Sequence, residues 1–239
     1  MKRIFFLMMV VLLFANCSRE EKSTVVDWEG NEYKTRNYGG TWWMVENLRT
    51  TRTRDGQNIW VSSEEDKYSY TTPYCYFHDD NEKKLKKEGC LYNWTAANQV
   101  CPEGWRLPTI ADYEALAKFV GSVEKNCYNG NSNAIAQSMA STDGWEYNSH
   151  PGTPGYTYLS FSGNVSNNNE SGFGAPPVGW YTPFRDSHYD YYGSAALYWL
   201  SEEYDPNIAN VFYIFYNNTK VIRDTFDKPL GLSVRCVKD

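Results

Sequence analysis

The sequence predicts an α+β domain, with two short helices packed on a small antiparallel sheet and a long irregular loop region. Three observations carry this reading. Residues 101–116, C-P-E-G-W-R-L-P-T-I-A-D-Y-E-A-L, form a turn that runs into a helix. Residues 195–237 hold short apolar runs with period-two alternation between turn signals. Residues 121–190 are crowded with Gly, Pro and Asn, yet rich in aromatic side chains.

The central turn comes first. Pro102 presets its own φ and Gly104 tolerates a positive one. Trp105 and Leu107 flank Arg106, and Pro108 stops any strand there. Thr109 stands where an N-cap belongs, and Asp112 three residues on completes a capping box. The helix then stacks Tyr113, Leu116, Ala117 and Val120 on one stripe, and Gly121 ends it.

Upstream, residues 25–37 and 41–46 read as strands, with Gly30-Asn31 a turn and Gly39-Gly40 a break. Trp42 and Trp43 point to opposite faces, so one belongs to the core and the other nearer solvent. Residues 51–72 read as a polar loop, 74–77 as a short strand, and the charge run 81–88 as a solvated loop. Residues 92–98 begin the second helix. Downstream, Ala134, Ile135, Ser138 and Met139 can face inward on one short helix. Residues 195–201, 209–216, 220–225 and 232–237 read as four strands of a central meander, with Asn217-Asn218 a tight turn. In the last strand Leu232, Val234 and Cys236 share one face, and Ser233 and Arg235 the other.

The first residues read as an export signal. Lys2 and Arg3 precede an apolar run over residues 4–15, too short to span a bilayer comfortably. Phe14-Ala15-Asn16-Cys17 resembles a lipobox, which makes Cys17 the expected acylated residue and 1–16 the cleaved leader. Ser18-Arg19-Glu20-Glu21 resembles the export signal of surface lipoproteins in Bacteroidota. The expected organisation is a leader (1–16), an acylated cysteine with a tether (17–24) and one domain (25–239). The expected location is the outer membrane, lipid-anchored and surface-exposed.

Four ordered motifs carry a family resemblance. They are the opening D-W-E-G-N-E-Y with W-M-V-E-N-L-R-T (27–33, 43–50), L-Y-N-W-T-A-A (91–97), C-P-x-G-W-x-L-P-T (101–109) and G-L-S-V-R-C-V-K (231–238). Together they resemble the Fibrobacter succinogenes major paralogous domain. That resemblance implies a C-type-lectin-like fold in bacterial surface and secreted proteins.

Composition narrows the partners. The formal net charge is −6, which argues against a nucleic-acid backbone as ligand. Aromatic content is high, with 20 Tyr, 11 Phe and 9 Trp, a mix that suits wet binding surfaces as well as cores. There are 6 Cys, so an odd number remains once Cys17 carries lipid. Spacing suggests Cys75 with Cys90. Cys101 with Cys236 would tie the central turn to the last strand, as lectin-like folds also do, and Cys127 is left over.

No nucleophile elbow, phosphate-binding loop or zinc motif occurs in the sequence. The related sulfatase-modifying enzymes need a cysteine pair late in the domain, where this chain has only Cys236. An enzyme is therefore not expected, and neither is a cofactor. Glu202, Glu203, Asp205 and Asn207 offer oxygens of the kind calcium prefers, but equally suit a Pro206-centred turn with caps. The expected role is non-catalytic recognition of an extracellular glycan or protein; the alternative is a structural or adhesion component of the envelope. The expected ligand-binding residues are Trp180, Tyr181, Asp186, Tyr189, Asp190, Tyr191 and Tyr192, read as one aromatic and acidic patch on the loops.

Overall fold

The computed structural model describes residues 24–61, 69–78, 81–156, 168–183 and 189–239. The leader, Cys17 and Asp186 lie outside the described residues. The first half contains β1 (Thr24–Val26), β2 (Glu32–Tyr38), β3 (Thr41–Met44), β4 (Trp60–Val61), β5 (Tyr74–Tyr76), α1 (Glu82–Glu88), β6 (Leu91–Tyr92), α2 (Trp94–Ala97), β7 (Trp105–Arg106) and α3 (Ile110–Gly121). The second half contains α4 (Ala136–Met139), β8 (Trp180–Tyr181), β9 (Tyr189–Asp190), β10 (Ala195–Glu203), β11 (Ile208–Phe215), β12 (Ile222–Asp227) and β13 (Val237–Lys238).

These strands make a five-stranded sheet in the order β1-β2-β3-β13-β7, two three-stranded sheets, β10-β11-β12 and β4-β5-β6, and a β8-β9 ribbon. The molecule is thus mostly β. The expected α+β, C-type-lectin-like arrangement of two helices on one small sheet is overturned. Pairing is spread over four sheets, and α2 and α4 are single turns of four residues. Strands of two or three residues are too short to reveal an alternation, which needs about four to eight residues to register.

Several local expectations hold. Trp43 is fully buried while Trp42 is half-exposed. In α3 the Thr109 side chain accepts from the Asp112 backbone N–H, and Asp112 accepts from the Thr109 N–H in return. Asp112 also receives the Arg106 guanidinium through both oxygens, Oδ1 at 3.2 Å. Burial works to raise the Asp112 pKa, but Arg106 and Thr109 prevail and hold it below the usual carboxylate value. Tyr113, Leu116 and Val120 face the core, and Ala134, Ile135, Ser138 and Met139 are buried.

Other expectations are corrected. Residues 81–88 are a capped helix rather than a loop, because Asn81 accepts from the Lys83 N–H and Gly89 closes the other end. Residues 232–237 do not extend the meander. They run between two core clusters and end in β13, which pairs with β3 and β7. Leu232, Val234 and Cys236 face the cluster around Trp199, Tyr92 and Met44. Val237 joins the cluster around Phe173, Phe212 and Trp43. Strand β10 is likewise buried on both faces from Ala195 to Leu200, so alternation there separates two interiors and not interior from solvent.

Arg235 lies in that closing segment and is only 1% exposed. Its Nε donates to Asn47 Oδ1 at 2.9 Å, its Nη1 to the Phe173 carbonyl, and its Nη2 to the Gly174 carbonyl at 3.0 Å. The guanidinium carbon lies 4.3 Å from the Phe173 ring centroid and 5.2 Å from that of Tyr198. Burial lowers its pKa, but a guanidinium remains charged under ordinary conditions.

Cys101 and Cys236 form a disulfide across a sequence separation of 135 residues, joining the central turn to the closing segment. Cys75 and Cys90 do not. They are buried neighbouring thiols, and the Cys90 hydrogen bond, followed by burial, pushes the Cys75 pKa up. In the β5–β6 register Cys75 faces Tyr92, which leaves Cys90 one diagonal step away. Diagonal neighbours sit about 7–8 Å apart, more than a disulfide usually spans. Cys127 is also a free thiol, its Sγ donating to the Gly121 carbonyl.

Candidate functional site

The β8–β9 ribbon divides the expected aromatic patch in two. Trp180 pairs with Asp190 and Tyr181 with Tyr189, so strand alternation sends each pair to its own face. Tyr181 is buried and stacks on Tyr76, with centroids 3.7 Å apart. Tyr189 packs edge-on against Tyr181, and its hydroxyl donates to the Phe77 carbonyl at 2.7 Å. Tyr192 donates to Glu88 Oε1 at 2.7 Å, and its ring lies beside His78. Tyr181 and Tyr189 are held by these partners, while Tyr192 stays 43% exposed. The expected single patch is thus divided between the two faces of the ribbon.

Trp180 and Tyr191 go the other way. Tyr191 adopts a positive φ of 58°, a rare conformation for a residue with a side chain. Its ring lies on Trp180, with centroids 4.4 Å apart and planes 27° from parallel. Gly179, just before the ribbon, also has a positive φ, and a Cβ there would meet the Asp190 carbonyl at 2.1 Å. Only glycine lets the two strands of the ribbon approach so closely.

The floor beneath these rings is one face of the β10–β11–β12 sheet. Register places Leu197 opposite Tyr213, and Tyr213 opposite Ile222, with Ala195 opposite Phe215 and Phe226 further along β12. All of these share a face. On this face Trp199, Val211 and Ala209 are buried in the core, and a cavity of about 200 Å³ is lined by the remaining side chains with Trp180 and Tyr191. Trp180 lies 5.7 Å from Phe226, and Tyr191 lies 5.7 Å from Phe215. Asn218, in the β11–β12 turn, supplies a polar group at the rim. Burial, then Asp224, pushes the Tyr213 phenol pKa up, so it stays a neutral donor.

Five aromatic rings with one amide at the rim make a stacking surface with a hydrogen-bonding edge. The volume is below the ~300–1,000 Å³ of sites that enclose drug-sized ligands, and suits a single ring. Sequence reading missed Tyr213, Phe215, Ile222 and Phe226. Their signal was the shared parity of 213 and 215 on one strand and of 222 and 226 on the next.

The acidic candidates are occupied elsewhere. Both carboxylate oxygens of Glu202 accept from the Ile110 N–H at the start of α3. Glu203 pairs with Lys228 at 3.1 Å. Asp205 caps the turn by accepting from the N–H groups of Asn207 and Ile208, which is the turn-and-cap arrangement. Among the described residues there is no group of three or more His, Cys, Asp or Glu placed to hold a metal ion, and no helix long and apolar enough to cross a membrane.

Residues 37–238 match the model of one protein family, described as the Fibrobacter succinogenes major domain. No curated protein and no solved structure matches the chain.

Proposed function

The chain belongs to the Fibrobacter succinogenes major domain family, and we propose that it is a surface-anchored lipoprotein whose domain binds an extracellular glycan without turning it over. The observation that carries this is the open aromatic cavity under Trp180 and Tyr191. A sugar presents C–H groups on its ring faces and hydroxyls at its edge. The faces pack on Trp180, Tyr191 and Phe226, and the hydroxyls meet Asn218 and the phenols of Tyr191 and Tyr213. The lining is rings, aliphatic side chains and an amide, a set that stacks and hydrogen-bonds rather than one that moves protons.

A glycan array tests the binding. The full chain should retain at least one oligosaccharide, and Trp180→Ala should weaken that binding about thirtyfold, the scale of a lost aromatic anchor of ~2 kcal/mol. Undiminished retention by the variant would sink the assignment of this cavity. The anchor rests on the basic start, the apolar run and Cys17, since stable attachment takes more than one acyl chain. Cells fed labelled palmitate should label the native protein and leave Cys17→Ser unlabelled; equal labelling of both would refute lipidation at that residue.

A further inference from the structure

A second cavity, of about 630 Å³, runs along α3. One wall is helical, with Glu114, Lys118 and Ser122 spaced one turn apart. The opposite wall is Ser132 and Asn133, with Lys220 beside them. The two walls meet tightly at Gly121, where a Cβ would lie 2.3 Å from the Ser132 carbonyl. A larger residue there would force the walls apart, so the groove depends on glycine at that position.

The charge of this groove runs against that of the chain. The protein carries a formal net charge of −6, yet Lys118 and Lys220 both line the cavity. The Arg223 charge reaches Tyr113, another lining residue, and lowers its pKa against the larger effect of burial, which raises it. Among the described residues none of these three cations is in an ion pair. Glu114 is the one carboxylate on the lining. Unpaired cations on a concave wall focus the field and favour an anion. Ser132 and Asn133 add hydroxyl and amide groups of the kind that bind sugar hydroxyls.

This groove and the aromatic cavity lie on opposite faces of the β10–β11–β12 sheet, on either side of the β11–β12 turn. Asn218 rims the aromatic cavity and Lys220, two residues on, lines the groove. Resting on the glycan reading of the aromatic cavity, we infer that the α3 groove is a subsite for an anionic sugar of the same chain, bearing a carboxylate or a sulfate. A polysaccharide wrapping around the β11–β12 turn would stack one ring under Trp180 and present its acidic group, on the other side of the sheet, to Lys118 and Lys220.

The test titrates the full chain calorimetrically with three oligosaccharide series of matched length: oligouronides, sulfated oligosaccharides and neutral oligomers. At low salt one acidic series should bind about tenfold tighter than the neutral one, and that advantage should shrink as salt rises. In a Lys118→Gln, Lys220→Gln double variant the acidic-to-neutral ratio should fall to about one while the melting temperature holds, since exposed charges contribute little to stability. The series that shows the advantage distinguishes carboxylate from sulfate. An acidic preference that survives in the double variant overturns the inference. So does Trp180-dependent binding of all three series with equal affinity, which leaves the aromatic site standing. Failure of every series to bind the native chain overturns both readings.

Discussion

Arg235 and Trp180 each sit among aromatic rings, but one set is sealed and the other is open. Around Arg235, the rings of Phe173, Tyr198, Trp43 and Phe212 interlock edge-to-face or stacked at 5.0–6.4 Å. Around Trp180, the rings of Tyr191, Phe226 and Phe215 stand at similar distances, yet Tyr191 is 48% exposed. The difference is a polar hub. Arg235 donates to the Phe173 and Gly174 carbonyls and draws that loop onto the sheet, while Asn47 ties Arg235, Tyr198 and Ser233 together. No comparable hub draws a loop down over the end of the sheet beneath Trp180 among the described residues. Aromatic content therefore says little about where a binding surface lies; the hydrogen-bonding groups beside the rings decide which cluster becomes core.

The sharpest way to break this comparison is Arg235→Met, which keeps much of the length and removes every donor. Two backbone carbonyls would lose their bonds, at about 1–3 kcal/mol each, so urea unfolding should register a loss of roughly 3 kcal/mol. An unchanged midpoint would mean that relief of the buried charge cancels the lost bonds, as it can when buried ion pairs are replaced by apolar groups. The polar hub would then not be what seals the cluster. On the open side, Trp180→Ala should cost less than about 2 kcal/mol, because a partly buried ring removes less area from water than a fully buried one. A larger loss would make Trp180 a core residue.

The smallest effect concerns α3, which forms a wall of the groove lined by Lys118 and Lys220. Asp112 has a lowered pKa in the folded protein, so its stabilisation is present above the unfolded carboxylate value of about 3.9. It is lost as pH falls through the lower folded value. Asp112→Asn should therefore cost about 1 kcal/mol near neutral pH, the scale of a lost helix cap. The gap between variant and native melting temperatures should close in acid. A gap that stays constant down to about pH 2 would deny the Asp112 carboxylate that role.

Reading the sequence recovered what is local. The capping box at Thr109 and Asp112, the stop at Gly121 and the opposed faces of Trp42 and Trp43 depend on neighbours within a few residues, and the structure has them. Asn217-Asn218 instead belongs to a longer connection, residues 216–221, between β11 and β12. The Cys101–Cys236 pairing also emerged. The β-rich character was not legible, because β4, β6, β7, β8, β9 and β13 are two residues each and acquire their identity from partners distant in the chain. Arg235 read as sharing one face of the last strand with Ser233. It is buried because the segment carrying it lies between two cores, and the loop carbonyls at 173 and 174 together with Asn47 make that tolerable.

The candidate site divides in the same way. Sequence alone determined that residues 180–192 would carry aromatic and acidic groups, since composition and turn density are properties of the chain itself. Tertiary structure decided that Tyr181 and Tyr189 would be taken up by packing and hydrogen bonds, while Trp180 and Tyr191 would join rings from β11 and β12. The reason is geometric. The two-residue alternation of the ribbon and one left-handed residue at Tyr191 set the direction of every ring, and those directions acquire meaning only when the sheet beneath them is in place.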